Sequence, residues 1–106
     1  MAKQSAPQDL AAIAPKLVEL SNEVLFADVW ERPELSPRDR SLVTVSVLAA
    51  LYRTEQLPYH LGKALENGLS VQELSEAITH LAFYAGWPNA MTAITHLKKI
   101  ADERSA

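Results

Sequence analysis

The chain has 106 residues, the size of one ordinary domain and too few for two. Hydrophobic residues make up 48% of it, which argues against disorder, and only 7% are aromatic, so aliphatic packing must dominate. Ten basic and thirteen acidic residues are scattered and leave a charge of −3, so there is no basic patch for nucleic acid; the absence of cysteine closes thiol redox chemistry.

The first eight residues read as a frayed tail, with no apolar core of a signal sequence in Met1 to Pro7. From Asp9 to Val29, Leu10, Ile13, Leu17, Leu20, Val24 and Leu25 recur at three- and four-residue steps and describe one helical face. Pro15 interrupts the run, so a short helix and then a longer one starting near Pro15 are expected. Trp30-Glu31-Arg32-Pro33 reads as a turn.

Ser36 is a good N-cap, Pro37 fits the first helical position and Asp39 suits the helix dipole. From Leu42 to Tyr52 apolar residues occupy every side of the wheel, which predicts a central helix buried on all sides. The uncharged stretch from Ser41 to Tyr52 is too short for a membrane span, which needs about 20 residues. Thr54 can cap a third helix with Pro58 in its first turn and Leu57, Leu61, Ala64 and Leu65 inside. Gly68 supplies a left-handed stop. Ser70-Val71-Gln72-Glu73 is a capping box, and Leu69 with Leu74 forms a hydrophobic staple. The fourth helix should bury Val71, Leu74, Ile78, Leu81, Ala82 and Ala85. Gly86 ends it, and Pro88 opens a fifth that buries Ala90, Ile94, Leu97 and Ala101. No segment alternates as a strand would. The expected fold is therefore all-α, five to six helices around the buried central one, in a single cytoplasmic domain over residues 1–106.

Three histidines are the side chains that titrate near neutrality. His96 shares a polar face with Asn89, Thr92 and Lys99 and reads as solvated. His60 lies at the edge of a buried face, either as a satisfied core histidine or as a general acid/base. His80 points away from the inner face of its helix, beside Ala77, Phe83 and Tyr84. A second apolar face suggests a subunit interface, with His80 as a contact there or as part of a shared site. Glu55 is explained by the dipole at a helix start. Arg40 either pairs with Asp39 or Glu34, or clamps an anion. There is no metal-ligand spacing, glycine-rich phosphate loop or nucleophile elbow.

Four segments carry a resemblance. They are Ala27-Asp28-Val29-Trp30-Glu31-Arg32-Pro33, Leu35 through Thr44, Glu55 through Leu61 continuing with Ala64 through Ser70, and His80-Leu81-Ala82-Phe83-Tyr84-Ala85-Gly86-Trp87-Pro88. In their order and spacing, from about Ala27 to Ala101, they resemble the carboxymuconolactone decarboxylase family. The resemblance implies an alkylhydroperoxidase-D-like helical fold and assembly into trimers or hexamers. The family's redox branch carries Cys-x-x-Cys at the positions of Arg53 and Gln56 and a glutamate at Ala49, so thiol peroxidase activity is argued against. The cysteine-free decarboxylase branch keeps the pattern around Glu55 and His60.

That branch implies a decarboxylase acting without metal or cofactor on a small carboxylated lactone. In such a butenolide the ring itself accepts the electrons left by carbon dioxide. The resemblance implies His60 as proton donor, Glu55 orienting or charging it, Arg40 holding a carboxylate, and His80, Tyr84 and Trp87 lining the pocket. Other lyases, isomerases or hydrolases of lactones or keto acids on the same scaffold remain open, as does a non-catalytic oligomer that binds a small anion.

Overall fold

The computed structural model describes residues 4–105, so part of the expected tail, residues 1–3, lies outside the described residues. Among the described residues every regular element is helical. The chain divides into two compact units, one up to Pro37 and one from Arg38 onward.

In the first unit a 3-10 turn over Gln8–Ala12 leads into α1, Pro15–Leu20, with Pro15 in the first turn as expected. The helix continues over Ser21–Phe26 in a wider π-helical winding, where the amide of Ala27 reaches the carbonyl of Asn22 at 3.0 Å. The Asn22 side chain also accepts the amide of Ala6 at 2.8 Å, which ties down part of the expected tail. Val29–Glu31 forms a 3-10 turn that buries Trp30. Leu10, Ile13, Leu17, Leu20, Val24 and Leu25, the residues of the one helical face read from the sequence, are all exposed, and Val18 is the buried residue of α1. Periodicity reports that a face needs cover, not that its own chain supplies it.

In the second unit α2 spans Pro37–Ala50, α3 Leu57–Glu66, α4 Val71–Ala85 and α5 Trp87–Ser105. α4 and α5 pack along each other and α3 packs on α5. Leu57, Leu61, Leu74, Ile78, Ala93 and Leu97 form the centre of the core, and α2 adds Val45 and Ala49. Helix α2 was expected to be enclosed on all sides. In the single chain it buries only the stripe Ser41, Val45 and Ala49, while Val43, Val47 and Leu51 are exposed. Ser41 is fully enclosed and accepts a bond from the Asn67 amide at 2.9 Å.

The end of α2 is unusual. Arg53 N–H bonds the carbonyl of Leu48 and Tyr52 N–H that of Ala49, the paired closure of a left-handed helix stop. The residue carrying the positive φ, 60°, is Tyr52, where glycine is the usual occupant. Helix α3 then begins at Leu57 with Gln56 as its N-cap, so Thr54 does not cap it. A start at Thr54 would place Pro58 beyond the positions where its missing N–H is harmless. Beyond α3 the punctuation follows the sequence. Gly68 and Gly86 both have φ 107°, Ser70 and Glu73 form the capping box, and Leu69 and Leu74 are buried. Val71 is exposed and Ala85 partly buried, and in α5 Ala93 is buried where Ile94 was expected, Ile94 being partly so. Pro88 is the second residue of α5, not its first.

Candidate active site

His60 is the fourth residue of α3, half-buried, with its amide bonded to the Gln56 carbonyl. Its ring meets that of Tyr59 edge-on at 5.0 Å. Burial pushes the imidazole below its ordinary value of 6.5, and the charge of Lys63 pushes it the same way. Lys63 is the residue that the sequence reading missed. It follows His60 by three positions and its side chain is only 8% exposed. Its ammonium faces Glu66 at 3.8 Å, and Glu66 is shared with Arg104 of α5 at 3.6 Å. Arg104 also bonds the carbonyl of Gly62 at 3.1 Å, within reach because Gly62 has no side chain there. The spacing of Lys63 from His60 was visible in the sequence. Its burial was not, because a lysine ordinarily reads as solvated.

Glu55 lies exposed in the turn before α3, two residues ahead of its first residue. It precedes His60 by five residues along the chain. Arg40 is half-buried in the first turn of α2, and its carbonyl accepts the Thr44 hydroxyl at 2.8 Å.

His80 lies on α4. It borders a groove of about 520 Å³ between α2 and α4, lined by Arg38, Leu42, Ser46, Leu69, Glu73, Glu76, Ala77, His80 and Leu81. The arginine on this groove is Arg38, not Arg40. Arg38 bonds Asp39 at 3.1 Å and also the carboxylate of Glu73. Arg38, Leu42 and Ser46 follow one another at four-residue steps, a row the sequence displays. Neither His60 nor Glu55 lines this groove. The His80 ring stacks on Tyr84 at 5.1 Å, and Trp87 meets Phe83 edge-on at 5.4 Å. Phe83 and Tyr84 are 74% and 82% exposed, so this aromatic corner of α4 and α5 stands open in the single chain.

Among the described residues no group of three or more His, Asp or Glu could hold a metal ion, and no helix is long and apolar enough to cross a membrane. What the α3 cluster offers is proton transfer at an imidazole beside a fixed cation. What the groove offers is an apolar floor with charged groups on its rim.

Comparison with known proteins places these features in a family. Residues 15–99 match the model of the carboxymuconolactone decarboxylase family. The chain is 44% identical over 72 residues to a 4-carboxymuconolactone decarboxylase of Acinetobacter baylyi, covering 68% of this chain and 53% of that protein. It is 32% identical over 85 residues to a nitrosuccinic acid decarboxylase of Metarhizium robertsii, covering 80% of this chain and 59% of that protein. The chain thus spans little more than half the length of these relatives. With its all-helical elements and a match over most of its length, the chain belongs to the carboxymuconolactone decarboxylase family.

Proposed function

We propose that the chain is a decarboxylase of a small acidic substrate. The observation that carries this reading is that two relatives with different substrates are both named decarboxylases. Their names share a chemical property. One substrate carries a lactone and the other a nitro group, each electron-withdrawing. When the bond to the departing carboxylate breaks, its electron pair passes into that group and carbon dioxide leaves. The carbon then takes up one proton. With the electron sink inside the substrate, the protein binds the anion, stabilises the developing negative charge and supplies the proton.

In this reading His60 delivers the proton and Glu55 orients or charges it. Arg40 holds a carboxylate, and His80, Tyr84 and Trp87 bind substrate. The half-buried setting of His60 supports its role, because part of the residue stays open to an approaching substrate while the rest is held by α3. The substrate of the nearest chemistry is a carboxylated lactone of the 4-carboxymuconolactone type. The test is carbon dioxide release from that lactone and from nitrosuccinic acid. The intact chain should turn over at least one of them, and His60→Gln should lower kcat by about 10²–10⁴-fold. A folded chain that releases carbon dioxide from neither acid overturns the reading.

The working form in this proposal is a homo-oligomer, a trimer or hexamer of the same chain. The exposed aromatic corner at Phe83, Tyr84 and Trp87, the open α2 residues Val43 and Val47, and Leu51 just past the helix support it. Large apolar patches left open on a monomer commonly mark interaction surfaces.

A further inference from the structure

The reaction proposed above needs a cation where the substrate's carboxylate rests. The α3 cluster contains one that no sequence pattern singled out. Lys63 is buried, which is costly for an ammonium and uncommon for lysine. It stands three residues after His60, and side chains at that spacing lie side by side on a helix, with Cβ atoms about 5–6 Å apart. His60 itself is only half-buried, so a small ligand can approach its ring from solvent.

We propose that Lys63 and His60 together hold one carboxylate of the acidic substrate, with Lys63 supplying the ammonium of the pair. The proposal rests on the decarboxylase reading for the class of its ligand. The charged and titratable groups around the pair include Tyr59 and Glu66 on α3 and Arg104 on α5, the helix packed against α3. Glu66 is drawn between two cations, Lys63 at 3.8 Å and Arg104 at 3.6 Å. Arg104 can therefore keep Glu66 in place while Lys63 turns to an incoming anion.

This arrangement couples binding to a proton. Without ligand, burial and then the neighbouring ammonium lower the proton affinity of His60. A carboxylate placed between the two groups offsets both effects and favours the imidazolium. The anion that must lose carbon dioxide thereby loads the group that must return a proton.

Succinate is the probe, a dicarboxylate with no electron-withdrawing group to drive decarboxylation. Its binding is measured by calorimetry in two buffers of different ionisation enthalpy, and by NMR of the His60 ring. The intact chain should bind succinate with net proton uptake. Lys63→Met should weaken binding by about tenfold or more, whereas Lys63→Arg should largely restore it. His60→Gln should remove the proton uptake. In turnover, Lys63→Met should raise KM more than it lowers kcat. Equal succinate affinity in Lys63→Met and the intact chain overturns the proposal. So does binding by the intact chain without proton uptake, a result that needs no variant to fold. Lys63-dependent succinate binding without carbon dioxide release from either acid would remove the decarboxylase reading and leave the carboxylate site. Normal turnover with KM unchanged in Lys63→Met would do the reverse.

Discussion

Arg38, in the first turn of α2, bonds the carboxylate of Glu73, which also accepts the amide of Ser70 at 2.9 Å to close the capping box of α4. One side chain thus ties the start of a helix to its neighbour across the groove that His80 borders.

That relationship is acid-sensitive. The bond from the Ser70 backbone, and then the charge of Arg38, hold the Glu73 carboxyl below its ordinary value of 4.5. The folded state therefore binds this proton less readily than the unfolded chain. Its contribution to stability is present above about 4.5 and disappears as pH falls through the lower folded value. Urea unfolding of Glu73→Gln and the intact chain should differ at pH 7 and converge towards pH 3. A gap that stays constant with pH would show that Glu73 does not titrate in this way. Ser70→Ala removes the reciprocal bond to the Glu73 amide, 3.0 Å, and should cost about 1 kcal/mol at neutral pH.

His60 gives the opposite part of the pH range. Its imidazole is held below 6.5 in the folded state, first by burial and then by Lys63. The unfolded chain binds the proton more readily, so stability rises with pH through this region and is lost as pH falls below about 6.5. His60→Asn should flatten the dependence of unfolding free energy between pH 5 and pH 7, as fitted on either side of the ordinary value near 6.5. Lys63→Met should bring the His60 titration closer to the ordinary value in NMR. An unchanged titration in that variant would remove the electrostatic link between the two residues.

Much of the second unit was legible in the sequence, and the reason is local chemistry. Pro37, the Ser70–Glu73 box, Gly68 and Gly86 each satisfy a backbone requirement within a few residues, so their positions mark helix ends directly. The start of α3 was misplaced because Thr54 is a good cap by type, whereas the geometry of Pro58 decides the matter. Which apolar face is covered was the least legible property. The stripe from Leu10 to Leu25 and the α2 positions Val43 and Val47 carry the same periodic signal as the core, yet are exposed in one chain. At the candidate site, His60 was visible as a residue type at the edge of an apolar face. Lys63 and Arg38 were not, since only three-dimensional packing distinguishes a buried lysine or a groove-lining arginine from the solvated kind.

Tyr52 presents a strained backbone that can be relieved. Its φ of 60° closes α2 in the left-handed region, which for a residue with a Cβ costs about 1–2 kcal/mol. The residue is 54% exposed, and its hydroxyl meets Thr92 only at 3.5 Å, so little packing offsets that cost. Tyr52→Gly should therefore stabilise the chain by about 0.5–1 kcal/mol, less than the full strain because glycine also gains freedom in the unfolded chain. Thermal unfolding should show a rise of a few degrees, on the order of 4–8 °C per kcal/mol for a domain of this size. A fall in melting temperature would mean that the tyrosine ring holds the end of α2 more firmly than these contacts indicate.

The exposed apolar residues lead to the last prediction, which separates folding from assembly. Val45 is fully enclosed in the core, while Val47, two residues on along the same helix, is exposed in the single chain. Val45→Ala removes buried methyl groups and should cost about 1–3 kcal/mol in unfolding free energy without altering the mass of the assembly. Val47→Asp and Tyr84→Asp remove nothing from the core, so the folded single chain should keep its stability to within about 0.5 kcal/mol. If copies of the chain cover these faces, a buried carboxylate there has no counterion, and the assembly should fall apart. Light scattering behind size-exclusion chromatography reads the mass directly, and circular dichroism checks that each variant remains helical. The intact chain eluting as a monomer at micromolar concentration would remove the homo-oligomer from the proposal. An intact oligomer that survives both aspartates would instead place its interface elsewhere, with the Leu10 to Leu25 stripe as the next face to substitute.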